Sequence, residues 1–323
     1  MEENNELKRY DIKPIRKLKK EEVEFIATEA TKRMEKMIPN FKGNYVYEQI
    51  QKANFYLADI PNKYTKVNYI VSNNTIYIRN EENIKKVDEF MFHEIFHYIQ
   101  CNGKNNPGGM PTQMGLCKFN TYKITGLAIN EAATQLIISM IFDNKQENNN
   151  YFGIQIKSIY NKYFPILCAI LQQIVYILGY EELLKSMLQN SDDFEMQFEK
   201  FAGKKAYSFL IESFDKMMKA RDKVAENNRI IHSEYLSKSK KKILEKQIDI
   251  CVKEIQNHFF AIQKLCYTEY FNPLFKKAKN KDDIKNLEKE IERYHQRTGK
   301  INEKDDFMIY TQNKMRILNK KIK

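Results

Sequence analysis

Val23, Ile26, Ala30, Met34 and Met37 recur at spacings of three and four residues, which predicts an amphipathic helix over residues 21–38. Pro39-Asn40 ends it, and a second helical stretch is expected from Tyr45 to Leu57, before Pro61-Asn62. The period then changes. Val67-Asn68-Tyr69-Ile70-Val71 and Thr75-Ile76-Tyr77-Ile78-Arg79 alternate apolar and polar positions around Ser72-Asn73-Asn74, the pattern of a β-hairpin with asparagine supplying the turn. Asn80 as an N-cap, followed by the acidic Glu81 and Glu82, is expected to start a helix that runs to about Gln100. Asn102 to Gly115, rich in glycine and carrying Pro107 and Pro111, reads as a loop long enough to be functional.

Helical spacing resumes at Gly126 with Leu127, Ala128, Ala132, Leu136 and Met140. Further helices are expected at about 154–179, 181–189 and 205–219, with Asn190-Ser191-Asp192-Asp193 as a turn. Beyond residue 216, Ile248, Val252, Ile255, Phe259, Ile262 and Cys266 form a seam at alternating spacings of four and three, suited to packing on another helix. Asn272-Pro273 should break this helix. Ile284, Leu287, Ile291 and Tyr294 mark the next, and a final basic helix follows from about Asp305. The expected class is mainly α (α+β): a domain over residues 1–215 with its core at about 67–142 and a small antiparallel hairpin, and a basic helical hairpin or bundle over 216–323.

With 323 residues, 42% of them hydrophobic, the chain can bury a sizeable core, which excludes disorder throughout. Charge sharpens the division. Residues 1–215 carry 27 Lys/Arg against 27 Asp/Glu, whereas residues 216–323 carry 27 against 15, so the whole excess of +12 lies in the last third. Such a segment suggests an acidic partner, a membrane surface or nucleic acid, against a favoured reading of simply solvated lysine faces. Enrichment in Lys, Asn and Ile through the entire chain supports the solvated reading, and nucleic acid is not the expected partner. The five cysteines show no framework spacing and read as reduced thiols. No secretory signal or transmembrane segment is expected. The longest apolar stretch, Tyr163 to Tyr180, contains Pro165, Gln172 and Gln173, so a soluble, cytoplasmic protein is anticipated.

The chemistry concentrates in His93-Glu94-Ile95-Phe96-His97. On a helix, histidines four apart leave the same face and can grip one metal ion, while Glu94 lies beside His93, within reach of a water on that metal. Hydrolytic zinc needs three protein ligands and an open position. His232, His258 and His295 are isolated on helical stretches of the basic third and read as surface or packing residues. Glu131, 34 positions after His97, occupies the first turn of an apolar helix, where a carboxylate needs a neutralising partner. A zinc ion bound by His93, His97 and Glu131 would provide one. Cys101, four residues past His97, is the rival third donor, although Asn102-Gly103 suggests that the helix has ended by then.

His93-Glu94-Ile95-Phe96-His97 together with Asn130-Glu131-Ala132-Ala133-Thr134 resembles the gluzincin group of zinc metallopeptidases, whose thermolysin-like members read Asn-Glu-x-x-Ser-Asp on the glutamate helix. The similarity covers residues 67–142. It implies a zincin-like domain in which His93, His97 and Glu131 hold zinc, Glu94 is the general base, and the strand Thr75–Arg79 is the edge along which an extended peptide lies. Two departures stand out: the gap to the glutamate is longer, and Thr134-Gln135 replaces Ser-Asp, removing the usual carboxylate partner of a zinc histidine. The expected activity is hydrolysis of a peptide or protein substrate. Tyr122, Tyr160 and Tyr163 are candidates to stabilise the developing oxyanion. The alternative is a catalytically idle, peptidase-like protein working through its basic helices.

Overall fold

A computed structural model describes residues 7, 10–38, 41, 43–102, 112–120, 123–159, 164–233, 236–298 and 306–322. Its first half alternates short strands with helices: β1 (Lys13–Lys17), α1 (Lys20–Met37), α2 (Gly43–Gln51), β2 (Asn54–Asp59), β3 (Val67–Ile70), β4 (Thr75–Arg79), α3 (Glu89–Asn102), β5 (Gln113–Met114), β6 (Cys117–Asn120) and β7 (Lys123–Thr125). Then come α4 (Leu127–Ile141), β8 (Glu147–Tyr151) and β9 (Ile154–Ser158). The rest is helical: α5 (Pro165–Leu178), α6 (Tyr180–Gln189), α7 (Asp193–Ala202), α8 (Lys204–Ser233), α9 (Lys238–Lys277), α10 (Lys281–Thr298) and α11 (Asp306–Lys321). The protein is mainly helical with small sheets, as the hydrophobic pattern indicates.

Two compact units share the chain. Residues 1–124, 134–144 and 184–191 form one; 125–133, 145–183 and 192–323 form the other. The expected boundary at 215/216 falls inside α8, which continues unbroken through it.

In the first unit a four-stranded sheet runs in the order β1-β2-β4-β3, with β2 and β4 parallel and the outer pairs antiparallel. The β3–β4 hairpin matches the expected one, closed by a 3-10 turn with Asn74 in the left-handed conformation (φ 50°). Residues 54–57, expected to be helical, are strand instead. Asn54–Asp59 buries Phe55 and Leu57 on one side of the pleat, and pairing on both flanks overrides the helical spacing. Thr75–Arg79 consequently lies inside the sheet and not at its edge; the edge strand of the hairpin is Val67–Ile70. Of the stripe read from the sequence, Ile26, Ala30 and Met34 on α1 are fully buried and Val23 is half-buried; Ala27 joins them in the core, and burial of each larger side chain is worth roughly 1.5–3 kcal/mol. The α1 start is fixed by Glu22, whose carboxylate accepts from Lys19 N (2.7 Å) and pairs in bidentate fashion with Arg16 (2.8 Å each), holding its pKa down at about 2.

In the second unit β8 and β9 form a hairpin through Phe152 and Gly153, both at positive φ (52° and 74°). This double left-handed turn replaces the helix expected from residue 154 and delays its start to Pro165. Helices α8 and α9 pack antiparallel: the His258 ring lies 3.0 Å from Ser213 Oγ and Asn227 donates to Gln247 at 3.3 Å. Pro273 does not end α9. Four more helical residues follow it, with Phe271 and Phe275 buried on either side. Their packing offsets the hydrogen bond that proline cannot make. Tyr267, Phe271, Tyr294 and Phe307 then form one aromatic cluster, with successive ring centroids 4.9–5.5 Å apart. No single helix among the described residues is long and apolar enough to cross a membrane; α5 and α6 pass that test only jointly and bend by 113° at Gly179.

Candidate metal centre

Helix α3 begins eight residues later than Asn80 would place it. Asp88 is the cap: its Oδ1 accepts from Phe90 N and Met91 N, both at 3.1 Å, which satisfies two of the free N–H groups of the first turn. Asn80 instead donates its backbone N–H to Ala58 O as part of the turn leaving β4. From Glu89 onward, Met91, Phe92, Ile95, Phe96 and Ile99 are buried, so the helix is gripped on most of its circumference. His93, half-buried, and His97, buried, stand one turn apart on the same side of the helix, with their ring centroids 4.5 Å apart and nearly perpendicular at 83°.

The two Nε2 atoms face each other at 2.9 Å. The opposite ring nitrogens are held by amides. His97 Nδ1 lies 2.9 Å from Gln100 Oε1, one turn along the same helix, and His93 Nδ1 lies 2.6 Å from Gln135 Nε2 on α4. Gln135 is buried, and Glu131 stands one turn before it on the same helix. The histidine nitrogens and a Glu131 carboxylate oxygen all lie within 4.8 Å of one another, a group that could hold a metal ion. Ligands about 2.0–2.1 Å from a tetrahedral zinc sit roughly 3.3 Å apart. The 2.9 Å between the two Nε2 atoms lies about 0.4 Å below that separation, and the 4.8 Å upper limit of the group about 1.5 Å above it. Two nitrogens and one carboxylate also suit zinc by donor type.

Each helix is anchored from a distance. Gln100 donates to Met187 Sδ (3.7 Å), and its backbone carbonyl accepts from Asn190 Nδ2 at 2.6 Å. Asn190 in turn accepts from Gly115 N at 2.6 Å. The N-terminus of α4 is capped by Asp215, whose two oxygens accept from Gly126 N (3.3 Å) and Ala128 N (3.2 Å). Gln100, Gln135, Asn190 and Asp215 went unread in the sequence. Only Gln135 left a trace there, as the replacement of a carboxylate; Asn190 and Asp215 act across 87 to 90 positions, and Gln100, three residues from His97, carries no motif of its own.

Glu94 follows His93 on α3, and its Oε2 accepts from Tyr69 N on β3 at 2.8 Å. That N–H points outward from the edge strand β3, so the carboxylate of the expected general base is tied to the sheet edge itself. Cys101 does not join the metal group. It lies within α3, is buried, and directs its Sγ to Met114 Sδ at 3.2 Å, and burial pushes its pKa up to about 11, away from the thiolate a metal would need. His232 is exposed and bonds Asn228 O, His258 contacts Ser213, and the His295 ring stacks on Phe307; all three are packing or surface residues. Gly103–Pro111 of the expected loop, and Tyr122, Tyr160 and Tyr163, lie outside the described residues. No family model, curated protein or solved structure matches the chain.

Proposed function

We propose that the protein is a zinc-dependent metallopeptidase with a zincin-like domain built around α3 and α4. The observation that carries the reading is the convergence of His93, His97 and Glu131 from two helices, with Glu94 adjoining them on the first. Zinc held there would polarise a peptide carbonyl and acidify a water toward neutral pH. Glu94 is the proton carrier: its carboxylate takes a proton from the attacking water and returns it to the leaving amine. His93 and His97 supply neutral nitrogens, Glu131 supplies one negative charge, and the edge strand Val67–Ile70 beside Glu94 offers backbone groups to an extended substrate.

Purified Glu94→Gln protein tests this directly. About one zinc per chain should remain while hydrolysis of a peptide library disappears, and Glu131→Ala should lose the zinc. Continued cleavage by Glu94→Gln removes that residue from the chemistry, and undiminished zinc in Glu131→Ala removes the ligand.

A second reading is favoured by the charge distribution: a catalytically idle, peptidase-like protein that works through its basic helices. Lys238, Lys240, Lys241 and Lys242 are exposed in the first turns of α9. Binding of the full chain to acidic protein, nucleic acid and anionic vesicles across a salt series decides it; no binding at low salt to any of them ends it.

A further inference from the structure

We propose that Gln135 is a positioning residue with two settings, which makes the metal site exchangeable. The inference rests on the metal-site part of the reading above and is independent of peptide hydrolysis.

For neutral rings, the two glutamine amides and the contact between the histidines are consistent with the following proton arrangement. Gln100 presents its carbonyl to His97, so His97 carries its proton on Nδ1 and has a lone pair on Nε2. The 2.9 Å contact between the two Nε2 atoms then requires the proton of His93 to sit on its Nε2, donating to His97. His93 Nδ1 is left as an acceptor, and Gln135 meets it with its amide nitrogen at 2.6 Å. Donors and acceptors alternate without conflict from Gln135 through both rings to Gln100.

A metal held by both Nε2 atoms demands a different pattern at one position. His97 needs no change. His93 must move its proton to Nδ1, and Gln135 must then offer an acceptor. A half-turn about the last side-chain torsion swaps its amide nitrogen for its oxygen at the same place, with no movement of α4. A carboxylate, the usual partner of a zinc histidine, accepts only: it supports the metal-binding tautomer and opposes the closed histidine pair. It also adds negative charge that makes the ligand more basic, whereas Gln100 and Gln135 add none. Gln135 therefore lowers the difference in stability between the closed pair and the metal-bearing pair, and occupancy follows the metal concentration around the protein.

The experiment compares wild type with Gln135→Glu, measuring the zinc dissociation constant against a chromophoric chelator at neutral pH. Zinc should bind Gln135→Glu about 10–100-fold more tightly, the scale on which such partners act. Nitrogen-15 NMR of the histidine rings gives a readout that a purely structural role would not move. In chelator-treated wild type the His93 proton should sit on Nε2, and zinc should shift it to Nδ1; in Gln135→Glu, Nδ1 should be protonated under both conditions. An unchanged constant in folded Gln135→Glu, or an Nδ1 proton in chelator-treated wild type, overturns the proposal. Should Gln135→Glu fail to fold, the wild-type spectra decide alone. Wild type that binds no zinc overturns the metal-site reading along with this one, while loss of peptide cleavage alone touches neither.

Discussion

Asn190→Ala should be among the most damaging single changes in the first unit, although residue 190 is remote in sequence from the histidine helix. The side chain is 1% exposed and its backbone is left-handed (φ 52°). It spans two groups from other elements, accepting from Gly115 N and donating to the carbonyl of Gln100, each at 2.6 Å. Removing it strands a buried N–H and a buried C=O, at about 1–3 kcal/mol per unsatisfied group. Alanine in a left-handed conformation adds about 1 kcal/mol beyond what asparagine bears. The sum is roughly 3–7 kcal/mol, read as a drop in the urea unfolding midpoint. Asn190→Gly separates the contributions: it removes the same hydrogen bonds but relieves the backbone, so it should recover about 1 kcal/mol relative to alanine. A loss below about 1 kcal/mol for Asn190→Ala, or glycine no better than alanine, refutes the account.

Tyr294 is fully buried in the aromatic cluster, and its hydroxyl meets no hydrogen-bond partner among the described residues. Tyr294→Phe should accordingly stabilise the protein by about 1–3 kcal/mol in thermal or urea unfolding, and a destabilisation would place a partner at that hydroxyl. Glu22 has its pKa depressed to about 2, chiefly by the Arg16 guanidinium, so its contribution is complete above the carboxylate's unfolded pKa and is lost as pH falls toward the folded value. Glu22→Gln should flatten the stability profile between about pH 5 and pH 2 and leave its shape unchanged above pH 6, a difference that urea titrations at several pH values would register.

The β3–β4 hairpin, α1, α3 and α10 were legible because each carries its own period. A stripe such as Ile26, Ala30, Met34 needs nothing distant to give it meaning. Residues 54–57 and 154–158 were misread because short apolar runs fit helix and strand equally, and partners elsewhere decided: β1 and β4 for the first, the Phe152-Gly153 turn for the second. Pro273 was read by a local rule that the aromatic packing around Phe271 and Phe275 overrides. In the candidate site, His93, His97 and Glu131 were visible because few residue types can hold a metal ion. Their supports were not, since an amide or an Asp cap can come from any element that passes nearby, as Asp215 does for α4.

The long separation between His97 and Glu131 has a simple geometric meaning. Each helix contributes one pair spaced by a single turn: His93 with His97 on α3, and Glu131 with Gln135 on α4. Within a pair, the helix fixes the spacing at about 6 Å along its axis, given 1.5 Å per residue. Between pairs, the 2.6 Å contact of Gln135 with His93 sets the register, and Glu131 follows one turn away. Among the described residues, the connection, which includes the short strands β5, β6 and β7, contributes no member of the His93, His97 and Glu131 group. The positions that cannot vary are those that set the ends and pitch of the two helices: Asp88, Gln100 and Asn190 for α3, Asp215 for α4. A group assembled this way is vulnerable to substitutions far from it, which is why Asn190, bonded to Gly115 and Gln100, is expected to matter as much as the residues of the group.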